Sequence, residues 1–100
     1  MQPPEQVTVT HDTALQRFLI ETGDDHVPQL LYELTGDAMH MLSVRVPVKY
    51  RKRGYASIIT KTAIEYAKAE GLRVVPSCPF VLWYLNQHPE YKSLLPQATL

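Results

Sequence analysis

Two hydrophobic periods divide the chain. In its first half the apolar positions alternate with polar ones. "VTVTH" (7–11) alternates and is β-branched, and it predicts a strand. "LQRFLIE" (15–21) sets Phe18 and Ile20 on one face against Arg17 and Glu21 on the other, and "TGDDH" then reads as a turn. "QLLYELT" (29–35) alternates Leu30, Tyr32 and Leu34 with Leu31 and Glu33, and "TGD" (35–37) reads as a second turn. "MHMLSVRV" (39–46) predicts a fourth strand with His40, Leu42, Val44 and Val46 on one face. Short Gly-Asp turns between alternating runs predict an antiparallel meander.

The period then changes. Over 55–70 the positions Ala56, Ile59, Ala63, Tyr66 and Ala67 follow helical spacing, with Lys61, Glu65 and Lys68 opposite. Gly71 stands where a left-handed residue ends a helix. "LRVV" (72–75) predicts a short buried strand, and "FVLWYLNQ" (80–87) a second helix, with Pro79 suited to its first turn and His88-Pro89 ending it. The tail after Pro89 is only weakly determined by its pattern. The fold class that follows is α+β, with an α/β three-layer-like arrangement. An antiparallel meander leads into a βαβ unit and a short C-terminal helix. The whole chain, 1–100, is expected to be one domain, with 1–6 disordered.

Charge sharpens this picture at one place. Ten Lys and Arg balance ten Asp and Glu, yet Lys49, Arg51, Lys52 and Arg53 crowd into five positions. A balanced total argues against a nucleic-acid binder, which would spread basic residues over a face. On charge alone the run reads as a solvated loop. Its position changes the reading. In a βαβ unit, ligands gather at the carboxyl ends of the parallel strands, here residues 46–54 and 76–78. The helix at Tyr55 has no Ser, Thr, Asp or Asn before it, so its first amides lack a cap. Gly54 allows close backbone approach. Free amides, a glycine and clustered cations describe a phosphate cradle. The P-loop and the dinucleotide GxGxxG pattern are both absent.

What remains is R-x-x-G-x-A, at Arg51, Gly54 and Ala56. With Val46-Pro47 before it, and "PSCPFV" (76–81) and "HPEY" (88–91) after it, the chain resembles the minimal, stand-alone branch of the GNAT superfamily of N-acetyltransferases. The resemblance implies acetyl-CoA as co-substrate, with no metal, and an unidentified amine acceptor, small molecule or protein. Val46 and Val48 would offer backbone contacts to the pantetheine arm, with a bulge tolerated at Pro47. Arg51, Lys52, Arg53, Gly54, Tyr55 and Ala56 would wrap the pyrophosphate. Many members carry glycine after the first arginine, where this chain has Lys52. The resemblance implies one catalytic candidate, Tyr84, and position offers a second, Cys78, which precedes the second helix beside the expected crevice, although the resembled superfamily mostly uses direct amine attack. Tyr84 would protonate the leaving thiolate, or serve as a core aromatic. Cys78 would accept the acetyl group or line the groove, or serve as a small buried apolar residue. His40 reads as structural.

One cysteine excludes an internal disulfide, no apolar run approaches the ~20 residues of a membrane span, and "MQPPEQ" lacks a signal region. A cytoplasmic enzyme without membrane contact is the expectation. The alternative function is an inactive CoA-binding sensor or interaction module.

Overall fold

The computed structural model describes residues 7–95, so the disorder expected of 1–6 lies outside the described residues. Five strands form one sheet in chain order: β1 (Val9–Asp12), β2 (Arg17–Ile20), β3 (Gln29–Thr35), β4 (Ala38–Arg45) and β5 (Arg73–Pro76). The first three pairings are antiparallel and β4–β5 is parallel, as the expected meander and βαβ unit require. The crossover is α1 (Tyr55–Ala69), and α2 (Pro79–Gln87) follows β5. The tail forms a 3-10 turn over Pro89–Leu94, pinned to α1 by the Tyr91 hydroxyl donating to Glu65 at 2.5 Å.

Local chemistry explains the element ends. Gly71 takes a left-handed φ of 70°, and the amides of Gly71 and Leu72 return to the carbonyls of Lys68 and Ala67. These two bonds satisfy the last turn of α1 and release the chain into β5. Arg73 then ties the start of β5 to the β3–β4 turn through Asp37, by backbone at 2.7 Å and side chain at 3.0 Å. Pro79 opens α2 at a position where no amide is needed.

Strand β4 departs from the expected facing. Leu31 pairs with Ser43 but Tyr32 pairs with Met41, leaving Leu42 unopposed in a β-bulge. The extra residue shifts the alternation by one. Met39 and Met41 are fully buried on the core side before the bulge, and Val44 packs against the same core after it. His40 and Leu42 do not share that face, and the bulge lies at Leu42 rather than at Pro47.

A single core joins the layers. Phe18, Leu30, Met39 and Met41 from the sheet meet Ile59, Ala63 and Ala67 of α1 and Val81 of α2. Ala63 and Ala67 are wholly buried, and their small side chains let α1 sit close to the sheet. At the β1 edge, His11 stacks on Phe18 at 4.1 Å, takes Tyr66 edge-on at 4.5 Å, and its Nε2 lies 2.5 Å from the Tyr32 hydroxyl.

Burial lowers the pKa of His11 below its ordinary 6.5, against an opposing pull from Asp12. Between the folded and unfolded values the unfolded chain binds more protons, so stability rises with pH through the window below about 6.5 and levels off above it. Urea midpoints measured from pH 5 to pH 7.5 should show this slope, and His11→Phe should flatten it. An unchanged slope in the variant would contradict the assignment.

Candidate functional site

The site begins where β4 and β5 separate. Their pairing ends at Met41 and Pro76, and the Cys78 amide closes the vertex by donating to the Met41 carbonyl at 3.0 Å. Strand β4 continues to Arg45 with no partner on that edge among the described residues. The chain then turns through Pro47 and a 3-10 turn, Val48–Tyr50, before reaching α1.

Two left-handed residues aim the start of α1: Lys52 at φ 66° and Gly54 at φ 77°. Glycine adopts this region freely, whereas a side chain there costs about 1–2 kcal/mol. Lys52 therefore sits in a conformation that glycine would adopt freely. Gly54 caps α1 without a side chain, and the first turn holds no acidic residue. Among the described residues nothing accepts from the amides of Tyr55, Ala56 or Ser57. A Cβ placed on Gly54 would meet nothing within 4 Å, so the glycine faces open space.

That space is a cavity of about 850 Å³, within the usual range for small-molecule sites. Of the residues expected to hold the co-substrate, Val46, Arg51, Lys52, Gly54, Tyr55 and Ala56 line it. Val48 and Arg53 do not: Val48 is 75% exposed, and Arg53 lies over the Tyr50 ring at 5.6 Å. Arg51 is braced by its Nε donating to the Val46 carbonyl at 2.9 Å, which leaves both terminal amino groups of its guanidinium free among the described residues. The charged lining is cationic (Arg45, Arg51 and Lys52), with no Asp or Glu.

Sequence reasoning missed one wall. His26, Val27 and Gln29 line the cavity from the β2–β3 connection and the start of β3. Asp24 draws that connection inward, accepting from the Tyr50 hydroxyl and from Lys49 at 3.1 Å. The Tyr50 hydrogen bond, then Lys49, holds the Asp24 carboxyl below its ordinary range, and Asp24 raises Lys49 in turn. Only complementary charge in two distant turns hinted at this contact. Phe80, at the start of α2, supplies the remaining wall.

Cys78 and Tyr84 stand apart from the lining. Cys78 is 6% exposed and belongs to the core beside the strand vertex. Tyr84 is buried against His88, ring to ring at 4.0 Å, while the His88 Nδ1 donates to the Tyr84 carbonyl at 2.8 Å. Burial first, then Glu90 and Glu65, raises the Tyr84 pKa above its ordinary 10, so the phenol keeps its proton. His40 pairs with the Thr35 hydroxyl at 2.6 Å, away from the cavity lining.

Comparison with known proteins decides the family. The sequence model of the GCN5-related N-acetyl-transferase family matches residues 17–94. The chain belongs to that family. Protein NATD1 of Bos taurus is 31% identical over 91 residues, spanning 86% of this chain and 80% of that protein. Protein NATD1 of Xenopus tropicalis is 28% identical over 91 residues, spanning 89% and 84%. A GCN5-like protein from Staphylococcus aureus, solved by NMR in solution, superposes with a TM-score of 0.74 over 93% of this chain and 91% of its own. Its 15% identity speaks to the fold alone. The α+β architecture read from the sequence is therefore that of the GCN5-related family, and the mixed sheet with its strand fork is the family's fold in this chain.

Two stability changes follow from this geometry. Lys52→Gly should raise stability by about 0.5–1 kcal/mol, because relief of the left-handed side chain exceeds the added freedom of the unfolded chain. A urea melt showing destabilisation would contradict that account. Cys78→Ala should cost about 1 kcal/mol or more through a small core cavity, read by the same melt; an unchanged midpoint would place Cys78 outside the core.

Proposed function

We propose that the cavity binds acetyl-CoA and that the protein is a cytoplasmic N-acetyltransferase acting on an amine. One observation carries this reading: the uncapped, glycine-led start of α1 forms the wall of a cavity whose charged lining is cationic. A diphosphate at that wall would meet the amides of Tyr55, Ala56 and Ser57, the positive end of the helix dipole, and the side chains of Arg51 and Lys52. The open space beside Gly54 lets phosphate oxygens reach the backbone.

The rest of the groove suits an extended arm. From Leu42 to Arg45, β4 offers backbone groups that β5 does not take, and a chain with spaced amides can bond such an edge as an added strand would. Acetyl-CoA, when bound, supplies an acetyl group activated as a thioester. Backbone N–H groups of the strand edge would hold the carbonyl oxygen at the moment charge develops on it. Tyr84 keeps its proton at neutral pH but is buried outside the cavity lining, so the leaving thiolate would take its proton from solvent. Cys78, buried in the core at the strand vertex and outside the cavity lining, would not accept the acetyl group. Transfer then runs directly to the amine nitrogen: the N–C bond forms, the C–S bond breaks, and the amine's proton passes to solvent or to a base.

A second reading, a CoA-binding module without chemistry, draws on the same lining, which holds no Asp or Glu to take that proton. Thermal melts with CoA, then thiol release from acetyl-CoA across a panel of amines, separate the readings. At one hundred times Kd the ligand should add about 2.7 kcal/mol of stability. Gly54→Ala should fold with a loss of about 1–2 kcal/mol and bind CoA at least tenfold more weakly. No thermal shift with millimolar CoA would remove the acyl-CoA reading. Binding without turnover of any amine would select the module.

A further inference from the structure

The connection between β2 and β3 hangs on one side chain. Its residues 22–27, "TGDDHV", carry no apolar run that would bury them, and Gly23 to His26 are exposed. Gly23 takes a left-handed φ of 87°, with open space around it. Among the described residues, no backbone hydrogen bond joins 22–27 to another part of the chain. Among them too, the Asp24 carboxylate alone makes polar bonds from this segment to the rest of the fold, accepting from the Tyr50 hydroxyl and from Lys49 at 3.1 Å. The base of the connection is fixed. Pro28 is fully buried, and its carbonyl accepts from the Ile20 amide at 3.1 Å.

Space lies on both sides of the segment. His26 and Val27 line the large cavity, together with Tyr50. Thr22, Gly23, Asp24, Asp25 and Val27 line a second cavity of about 290 Å³, with Arg17 and Leu19 behind it. Val27 borders both. A wall with a void on each face has no close packing to hold it in place. What holds it is the contact of Asp24 with Tyr50 and Lys49.

We infer that residues 22–27 form a hinged wall of the large cavity, swinging between Gly23 and Pro28, and that Asp24 is the latch that closes it on Tyr50 and Lys49. The acyl-CoA reading enters only as the identity of the ligand that the closed wall retains. Asp24 is a positioning residue: it acts through the wall and through Tyr50. The latch has the strength that a moving part requires. Side-chain exposures of 40% at Asp24 and 68% at Lys49 make the ion pair weak and open to screening by salt. The Tyr50 phenol adds a hydrogen bond to a charged acceptor. Such a contact closes the wall and still lets it open for ligand exchange.

Neutralising Asp24 separates a latch from plain electrostatics by sign. Asp24 is a negative charge close to a cationic cavity, so its loss alone would make an anionic ligand bind more tightly. Loss of a latch does the reverse. The variants are Asp24→Asn and the double change Asp24→Lys with Lys49→Asp, which exchanges the ends of the ion pair. The readouts are CoA affinity, the CoA dissociation rate, and NMR relaxation dispersion of the Val27 methyls in the unliganded protein, with the buried Val81 methyls as control. Asp24→Asn should speed CoA dissociation about fivefold and raise the exchange contribution at Val27 while leaving Val81 unchanged. The exchanged pair should recover most of both, and melts establish that the variants are folded. Tighter CoA binding by Asp24→Asn would overturn the latch and leave Asp24 as a charge only. Unchanged dissociation with unchanged Val27 relaxation would overturn it too, reducing the contact to a surface ion pair. If CoA does not bind the wild-type protein, the acyl-CoA reading falls, and the latch stands or falls on the Val27 relaxation of the variants.

Discussion

The parallel pairing of β4 with β5 is the constraint from which the rest of the molecule follows. Two parallel neighbours cannot be joined by a hairpin; the chain must cross back over the sheet, and here α1 makes that crossing. The crossing brings the basic loop and the start of α1 to the carboxyl end of β4. Because β5 stops at Pro76 while β4 runs on to Arg45, the two strands part there, and the Cys78 amide marks the point of separation. A strand edge without a partner, a helix start without a cap and a loop of cations thus arise together at one end of the sheet.

The sequence made the elements and their order legible because each carries its own period or punctuation. The alternation of 29–35, the helical spacing after Tyr55, Gly71 and Pro79 all speak locally. The face of β4 was not legible. "AMHMLSVR" carries apolar residues at both parities, so period two allows either side to be the core. The bulge at Leu42 resolves this by burying Met39 and Met41 before it and turning Val44 inward after it. A bulge depends on its partner strand, which local pattern does not contain. The wall built from His26 and Val27 was hidden for the same reason, since it exists only when Asp24 reaches Lys49 and Tyr50 across the fold.

The start of α1 breaks local rules that the chain obeys elsewhere. The last turn of α1 is closed by two backbone bonds around Gly71, and α2 begins with a proline in the proper place. The start of α1 has neither a capping side chain nor an acidic first turn, and Lys52 holds a left-handed backbone that glycine would adopt freely. Departures of this kind concentrate at sites selected for something other than stability. The glycine at position 54 is consistent with that view. Nothing in the protein crowds it, so its absent side chain keeps open a space that packing does not need.

The clustered charge is divided between two tasks. Lys49 pairs with Asp24 and so ties the loop to the β2–β3 connection, while Arg53 lies over Tyr50 within the loop. Arg51 is braced against the Val46 carbonyl, and with Lys52 and Arg45 it faces the cavity. A net charge of zero is compatible with local anion binding because Asp24, the acidic residue that contacts the loop, is already engaged by Lys49 and Tyr50. If Lys49 were not held by Asp24, its charge would add to the repulsion among the cavity cations, and the connection carrying His26 would lose its anchor. The basic run thus divides into a clamp, Lys49 held by Asp24, and a cationic cavity face, Arg51 and Lys52.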